Sequence, residues 1–193
     1  FDLIVGTEEE FHIAGGTTNT IEALKKIRSL TKAILVLKQG PQGCRIFDGP
    51  IPKKAEEGIS GKAPQVKVLN VLGAGDAFMS GFLKGYLNGE NLENSATYAN
   101  ACGALVVSRH GCTPAMPSLT ELQSFLSRKE KIERPDLDDE INELHRTTTG
   151  RTSFDKDLFI LAFDHRSQFL NELNKEGIKD YSLISKVKDL IFK

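Results

Sequence analysis

Residues 70–83 read Asn-Val-Leu-Gly-Ala-Gly-Asp-Ala-Phe-Met-Ser-Gly-Phe-Leu, and this stretch decides the fold. Val66, Val68 and Leu69 form a strand-like apolar run that Asn70 closes. Gly73-Ala74-Gly75 then makes a turn of residues with almost no side chain. Asp76 opens a helix whose apolar positions recur as Phe78/Phe82/Tyr86 and Met79/Leu83/Leu87. Strand, small-residue turn and helix together gather backbone N–H groups and the positive end of a helix dipole at one point, which suits phosphate oxygens. A carboxylate there would repel an anion unless it serves as a base. Asp76 can take the proton of an attacking hydroxyl while the amides hold the transferring phosphoryl group. Aspartate is also a common helix cap, and a lone G-x-G-D leaves both readings open.

The whole segment is more specific. With Gly73, Ala74, Gly75, Asp76, Ser80 and Gly81 all in place, it resembles the C-terminal signature of the ribokinase-like (PfkB) carbohydrate kinases. No lysine followed by Ser/Thr comes after the glycines, so the turn is not a P-loop. The resemblance implies that Asp76 is the catalytic base and that Gly73, Ala74 and Gly75 build the anion hole.

The chain has 193 residues, a net charge of −1, 39% hydrophobic and 26% charged residues, as soluble globular proteins do. So small a net charge gives no general attraction to nucleic acid or to an anionic membrane, and any phosphate site must be local. No apolar run approaches the roughly 20 residues that span a bilayer. Cys44, Cys102 and Cys112 lack metal-ligand spacing and read as the reduced thiols of a cytoplasmic protein. Phe1-Asp2-Leu3-Ile4-Val5 resembles the interior of a strand and Leu190-Ile191-Phe192-Lys193 the interior of a helix, so an excerpt of a longer protein is expected.

Residues 1–127 alternate strand and helix patterns, the order of a layered α/β fold with a mainly parallel sheet. Leu3–Val5 is a strand. Asn19, with Glu22 three residues on, caps a helix with Ile21, Leu24, Ile27 and Leu30 on its apolar face. Ala33–Leu37 is a continuous apolar run, as in a strand covered on both faces. Cys44–Phe47 is the return of a hairpin, and helices follow at about Leu92–Arg109 and Ser118–Leu126. Residues 128–146 are a charged helical linker, with Pro135 placed to start a helix and Leu137, Ile141 and Leu144 as a narrow stripe. After a break at Thr147–Gly150, Leu158–Phe163 begins a second, truncated domain over 147–193.

Ala77, Gly81 and Gly85 give the signature helix a small face, and Ala96, Ala99, Asn100, Gly103, Ala104 and Val107 give the next helix another. Either the two helices pack tightly or they leave room for a flat ring. Lys38, Gly40 and Gly43 lie in the loop after a buried strand, where the glycines either serve the hairpin or admit phosphates. Glu8, Glu9 and Glu10 suit a solvated helix start. The resemblance adds nucleotide-binding roles for Lys38, Gly40, Gly43, Asn100 and Ala104. It also implies magnesium organised through water by Glu10, in a motif whose asparagine is replaced here by Thr7. Asn70, Arg109 and Gly111 fall where many family members bind a monovalent cation, although Asn70 stands in place of an aspartate. His12, His110 and His145 are assigned no catalytic role. Asp164-His165-Arg166 ends an apolar strand, as active-site groups of barrels do, or caps and salt-bridges locally.

Residues 1–127 thus resemble the nucleotide-binding half of a sugar kinase, without the sugar-binding half and the lid through which such kinases assemble. Residues 128–193 resemble the first βα unit of the aldolase-like, TIM-type barrel fused to some bacterial 5-dehydro-2-deoxygluconokinases of inositol catabolism. The resemblance implies ATP-dependent phosphorylation of a sugar acid, 5-dehydro-2-deoxy-D-gluconate, with ATP and Mg2+ as cofactors. Two other readings are an aldolase activity of the fused barrel and a non-catalytic nucleotide-binding module.

Overall fold

β2 (Ile34–Lys38) shows how the layers arise. Successive side chains of a strand point to opposite faces. Leu35 and Leu37 enter one core with Phe11, Leu24, Ile27 and Phe47, while Val36 enters another with Cys44, Ile46, Phe78, Phe82, Ala96 and Ala99. The sheet is therefore covered on both sides, and the unbroken apolar run is its sequence trace. In this computed structural model the described residues are 1–149, 167–180 and 182–191.

The chain divides into two compact units, Phe1–Gly150 and Arg151–Lys193. In the first, β1 (Leu3–Thr7) pairs with β2 in parallel, placing Thr7 beside Lys38. β2 then pairs antiparallel with β3 (Cys44–Phe47), and β3 with β4 (Ile59–Gly61), in the order β1-β2-β3-β4. The described sheet is thus mixed rather than mainly parallel, because only the β1–β2 connection carries helices. These are α1 (Glu8–Gly15) and α2 (Thr20–Leu30), which cover one face. Asn19 caps α2, accepting the Glu22 N–H at 3.0 Å. α3 (Ala74–Leu87) and α4 (Leu92–Val107) cover the other face.

The run at Val66–Leu69 forms no strand. Its amides bond elsewhere: Lys67 N–H to the Glu133 carbonyl and Leu69 N–H to the Val107 carbonyl, each at 2.7 Å. α5 (Leu119–Ser127), capped by Ser118, and α6 (Asp139–Thr148), capped by Asp138, complete this unit. A short 3-10 turn at Pro135–Leu137 precedes α6, so Pro135 starts that turn rather than the helix itself. Ile141 of α6 is fully buried in a cluster with Ala77, Leu105, Leu122 and Phe125. The charged segment 128–146 is therefore folded against the helices before it. Leu137, expected in the apolar stripe, is 65% exposed.

The second unit includes α7 (Ser167–Lys175) and α8 (Ser182–Ile191), with Lys188 over the Phe169 ring. The strand expected at Leu158–Phe163 lies outside the described residues, as do Asp164, His165 and Arg166. Among the described residues, no helix is long and apolar enough to cross a membrane.

Candidate active site

The turn before α3 supplies the anchor. Gly73 has φ +84°, a conformation that favours glycine, and it serves as the N-cap of α3. The first intrahelical bond runs from Ala77 N–H to the Gly73 carbonyl at 2.9 Å, so the Gly75 and Asp76 amides belong to the open first turn. The Ala74 amide is turned to the Val71 carbonyl at 3.2 Å. Asp76 is exposed in that first turn. Its carboxylate is thus free to meet a hydroxyl beside the open amides.

A cavity of about 520 Å³ runs along this turn, lined by Gly75, Ala74, Phe78, Asn100, Gly103 and Ala104 on the helical side. Lys38, Gly40, Gly43 and Thr7 line it from the sheet. The expected nucleotide-binding residues Lys38, Gly40, Gly43, Asn100 and Ala104 are thereby brought to one place. Val66 and Val68, taken from sequence as strand, also line it, together with Val71, Pro64 and Gln65. The valines were readable as apolar but not as a wall, because only contacts distant in sequence hold them there.

The two small-residue faces divide their work. A Cβ on Gly81 would lie 2.5 Å from the Tyr98 carbonyl oxygen, and one on Gly85 2.6 Å from Ser95 Oγ, so these glycines serve helix contact. Further along α4, Gly103 faces open space, with Ala74 O 3.9 Å from its Cβ position. Asn100 is buried, and its Nδ2 donates to the Ala96 carbonyl at 2.9 Å and lies 3.6 Å from Cys44 Sγ. Burial pushes the Cys44 thiol up, so it stays neutral beside Asn100. Gly43, at φ +88°, is demanded by the hairpin, since a Cβ would lie 1.9 Å from Gly61 O. Gly40, at φ +56°, meets nothing within 4 Å.

Thr7 and Glu10 form a capping box at the start of α1. Glu10 Oε2 accepts the Thr7 N–H at 2.6 Å, and Thr7 Oγ1 accepts the Glu10 N–H at 3.3 Å. Lys38 Nζ lies 3.8 Å from Glu10 Oε2 and would lie 3.6 Å from a Cβ on Gly75. It therefore stands between the acid and the anion-hole turn. The Thr7 N–H and hydroxyl, followed by the charge of Lys38, hold the Glu10 carboxyl below its ordinary range. Glu10 thus remains ionised as pH falls, until pH passes that lowered value. One carboxylate beside a lysine suits a cation held through water rather than one enclosed by protein oxygens. No group of three or more metal-ligating side chains occurs among the described residues.

Asn70 is fully engaged, its Nδ2 donating to the Gly111 carbonyl at 2.9 Å and its Oδ1 accepting the Leu72 N–H at 3.0 Å. Arg109 pairs with the fully buried Glu121. Asn70 and Gly111 thus form a neutral bridge, and Arg109 a separate ion pair.

The open turn and the α3–α4 cavity lie within a stretch that matches a known family. Residues 1–119 match the pfkB family carbohydrate kinase. This chain belongs to that family. The 5-dehydro-2-deoxygluconokinase of Halalkalibacterium halodurans is 34% identical over 134 residues, covering 68% of this chain and 39% of the relative. The chain thus spans about 39% of the length of that curated relative. Among solved structures, fructokinase from Vibrio cholerae O395, bound to fructose, ADP and calcium ion, is 30% identical with a TM-score of 0.56. That match covers 65% of this chain and 41% of the fructokinase. Aminoimidazole riboside kinase from Salmonella enterica, complexed with its riboside and an ATP analogue, is 27% identical with a TM-score of 0.56. It covers 66% of this chain and 42% of that structure. These neighbours support the ribokinase-like α/β fold. Residues 121–193 match a second family, described as an uncharacterized protein conserved in bacteria (DUF2090).

Proposed function

We propose that this PfkB chain is the nucleotide-binding part of a kinase that moves the γ-phosphoryl of ATP to a sugar-acid hydroxyl. The acceptor we assign is 5-dehydro-2-deoxy-D-gluconate, giving its 6-phosphate, as in inositol catabolism. The observation that carries the reading is the exposed Asp76 on the open first turn of α3, next to Gly75, which lines a cavity together with Lys38 and Asn100. The name of the Halalkalibacterium relative supports the choice of acceptor.

In this reading the nucleotide lies along the α3–α4 cavity, its base beside Asn100, Gly103 and Ala104. Asn100 commits its Nδ2 to the Ala96 carbonyl, which leaves its oxygen as the acceptor for an amino group of the base. The phosphates reach the Gly73–Asp76 turn, where Gly75 admits close approach and Lys38 supplies a fixed positive charge. Asp76 takes the proton of the acceptor hydroxyl. The freed oxygen bonds to the γ-phosphorus as the bond to the ADP oxygen breaks, and ADP leaves with the electron pair. Bound Mg2+ would neutralise phosphate charge, with Glu10 and the Thr7 hydroxyl holding its waters. Residues 1–127 are assigned to the kinase part, 128–146 to the connecting segment and 147–193 to the start of the second domain.

The test is ADP release by the full-length protein that carries this sequence, with ATP and Mg2+, against 5-dehydro-2-deoxygluconate, ribose, fructose and 2-keto-3-deoxygluconate. Turnover on the first, lowered at least about 100-fold by Asp76→Asn, is the expected result. Turnover on another sugar alone removes the assigned acceptor. Turnover unaffected by Asp76→Asn removes the proposed base.

A further inference from the structure

We infer that the segment beyond residue 119 braces the anion hole, and that His145 of α6 is a positioning residue for phosphoryl transfer. The inference rests on the proposed transfer at Asp76. It starts from a buried cluster that straddles the two family matches. Arg109 belongs to the PfkB match, whereas Glu121 and His145 belong to the second. Glu121 is fully buried and Arg109 is 8% exposed. Arg109 pairs with Glu121, His145 Nδ1 lies 2.9 Å from Glu121 Oε2, and Arg109 Nη1 lies 3.2 Å from the same Nδ1. His145 Nε2 faces the Pro114 carbonyl at 2.9 Å. A carbonyl only accepts, so Nε2 carries the hydrogen. Nδ1 sits between a guanidinium and a carboxylate and fixes the plane of the ring.

This bond holds a loop with one further neighbour of consequence. A Cβ on Gly73 would lie 2.7 Å from Cys112 Sγ and 3.2 Å from Met116 Cε, so residues 112–116 press directly on the N-cap of α3. The Gly111 carbonyl takes the Asn70 side chain, which in turn holds the Leu72 N–H. Further back on the same approach, Lys67 N–H donates to the Glu133 carbonyl at 2.7 Å. The approach to Gly73–Asp76 is therefore held from within the PfkB match by Asn70, Val107 and the 111–116 loop, and that loop and Lys67 are in turn held from outside it by His145 and Glu133. Transfer depends on amides held to within a fraction of an ångström, and misplacement by about 1 Å can cost 10²-fold in rate. A segment that holds those amides in place thereby acts on the rate of transfer.

The experiment compares His145→Leu and His145→Gln in the full-length protein. Glutamine retains a donor that reaches the Pro114 carbonyl, whereas leucine does not. His145→Leu is expected to lower kcat about tenfold with KM for ATP changed less than about threefold, and His145→Gln to restore kcat to within about threefold. Amide exchange supplies a readout that needs no substrate. The Ala115 and Met116 amides, bonded to the Cys112 and Thr113 carbonyls, are expected to exchange about tenfold faster in His145→Leu and normally in His145→Gln. Wild-type kcat in His145→Leu, or faster exchange with unchanged kcat, overturns the positioning role. If the leucine variant does not fold, His145→Asn, which reaches only the Nδ1 partners, replaces it, and equal kcat in Asn and Gln overturns the role. If the wild type turns over no sugar, the proposed function fails on its own. Exchange then decides the brace: unaltered rates in His145→Leu overturn it, and acceleration reversed by glutamine supports it.

Discussion

α3 packs on α4 through Gly81 and Gly85, whereas α5 and α6 are joined to the end of α4 by Arg109, Glu121 and His145. The first contact is close because side chains are missing, and the backbones themselves meet. The second brings three ionisable groups together, of which Arg109 and Glu121 are buried. Packing by missing side chains tolerates no added atom. Packing by paired charges tolerates no lost partner, since the surviving charge has nowhere to be solvated. The two regions should therefore fail in opposite directions when mutated.

The largest effect is expected at Glu121. Glu121→Ala leaves Arg109 buried without its counter-charge, and such losses cost about 3–5 kcal/mol. The denaturation midpoint of the full-length protein is the measurement. The double variant Arg109→Met/Glu121→Leu removes both charges and is expected to return to within about 1 kcal/mol of wild type. A double variant as unstable as the single one would mean that the cluster's shape, not its charge balance, holds the helices together.

Next in size is Gly81→Ala. Its methyl would lie 2.5 Å from the Tyr98 carbonyl oxygen and 2.8 Å from the Ala99 nitrogen, both backbone atoms that move only with α4. Overpacking of this kind costs about 1–3 kcal/mol, against the roughly 1 kcal/mol by which alanine favours a helix over glycine. A net loss of up to about 2 kcal/mol is expected in the same denaturation measurement. A gain would show that the two helices separate easily and that the comparison overstates how tightly glycine binds them.

The two regions also differ in how well sequence discloses them. The turn at Gly73–Asp76, the hairpin and the Asn19 cap depend on residues within a few positions of one another, and each was readable. β2 was readable because an unbroken apolar run has few other uses. The Arg109–Glu121–His145 cluster was not, since its members are polar and up to 36 positions apart. Periodicity assigns such residues to a solvated face, and Glu121 is instead fully buried. The extended run at Val66–Leu69 misled for a related reason. Its composition fits a strand, but its amides are claimed by Val107 and Glu133 carbonyls that only tertiary folding brings near. Glu10 carried two meanings at once, a metal motif by resemblance and an acidic helix start by charge, and the described geometry joins it to Thr7 in a capping box.

Gly103 offers the finest test, because it sits on the same helix as the packing contacts yet takes no part in them. Its Cβ position has only Ala74 O nearby, at 3.9 Å, an ordinary contact distance. Alanine there should stabilise the protein by up to about 1 kcal/mol, the helix preference over glycine. The same methyl projects into the cavity beside Asn100 and Ala104. ATP affinity, followed by calorimetry, should therefore weaken by about 1 kcal/mol, or roughly fivefold in Kd. A stabilised variant with weaker ATP binding separates a glycine kept for a ligand from Gly81 and Gly85, kept for a neighbouring helix. Stabilisation with unchanged affinity would instead place the base away from this stretch of α4, and the course of the nucleotide through the cavity would have to be redrawn.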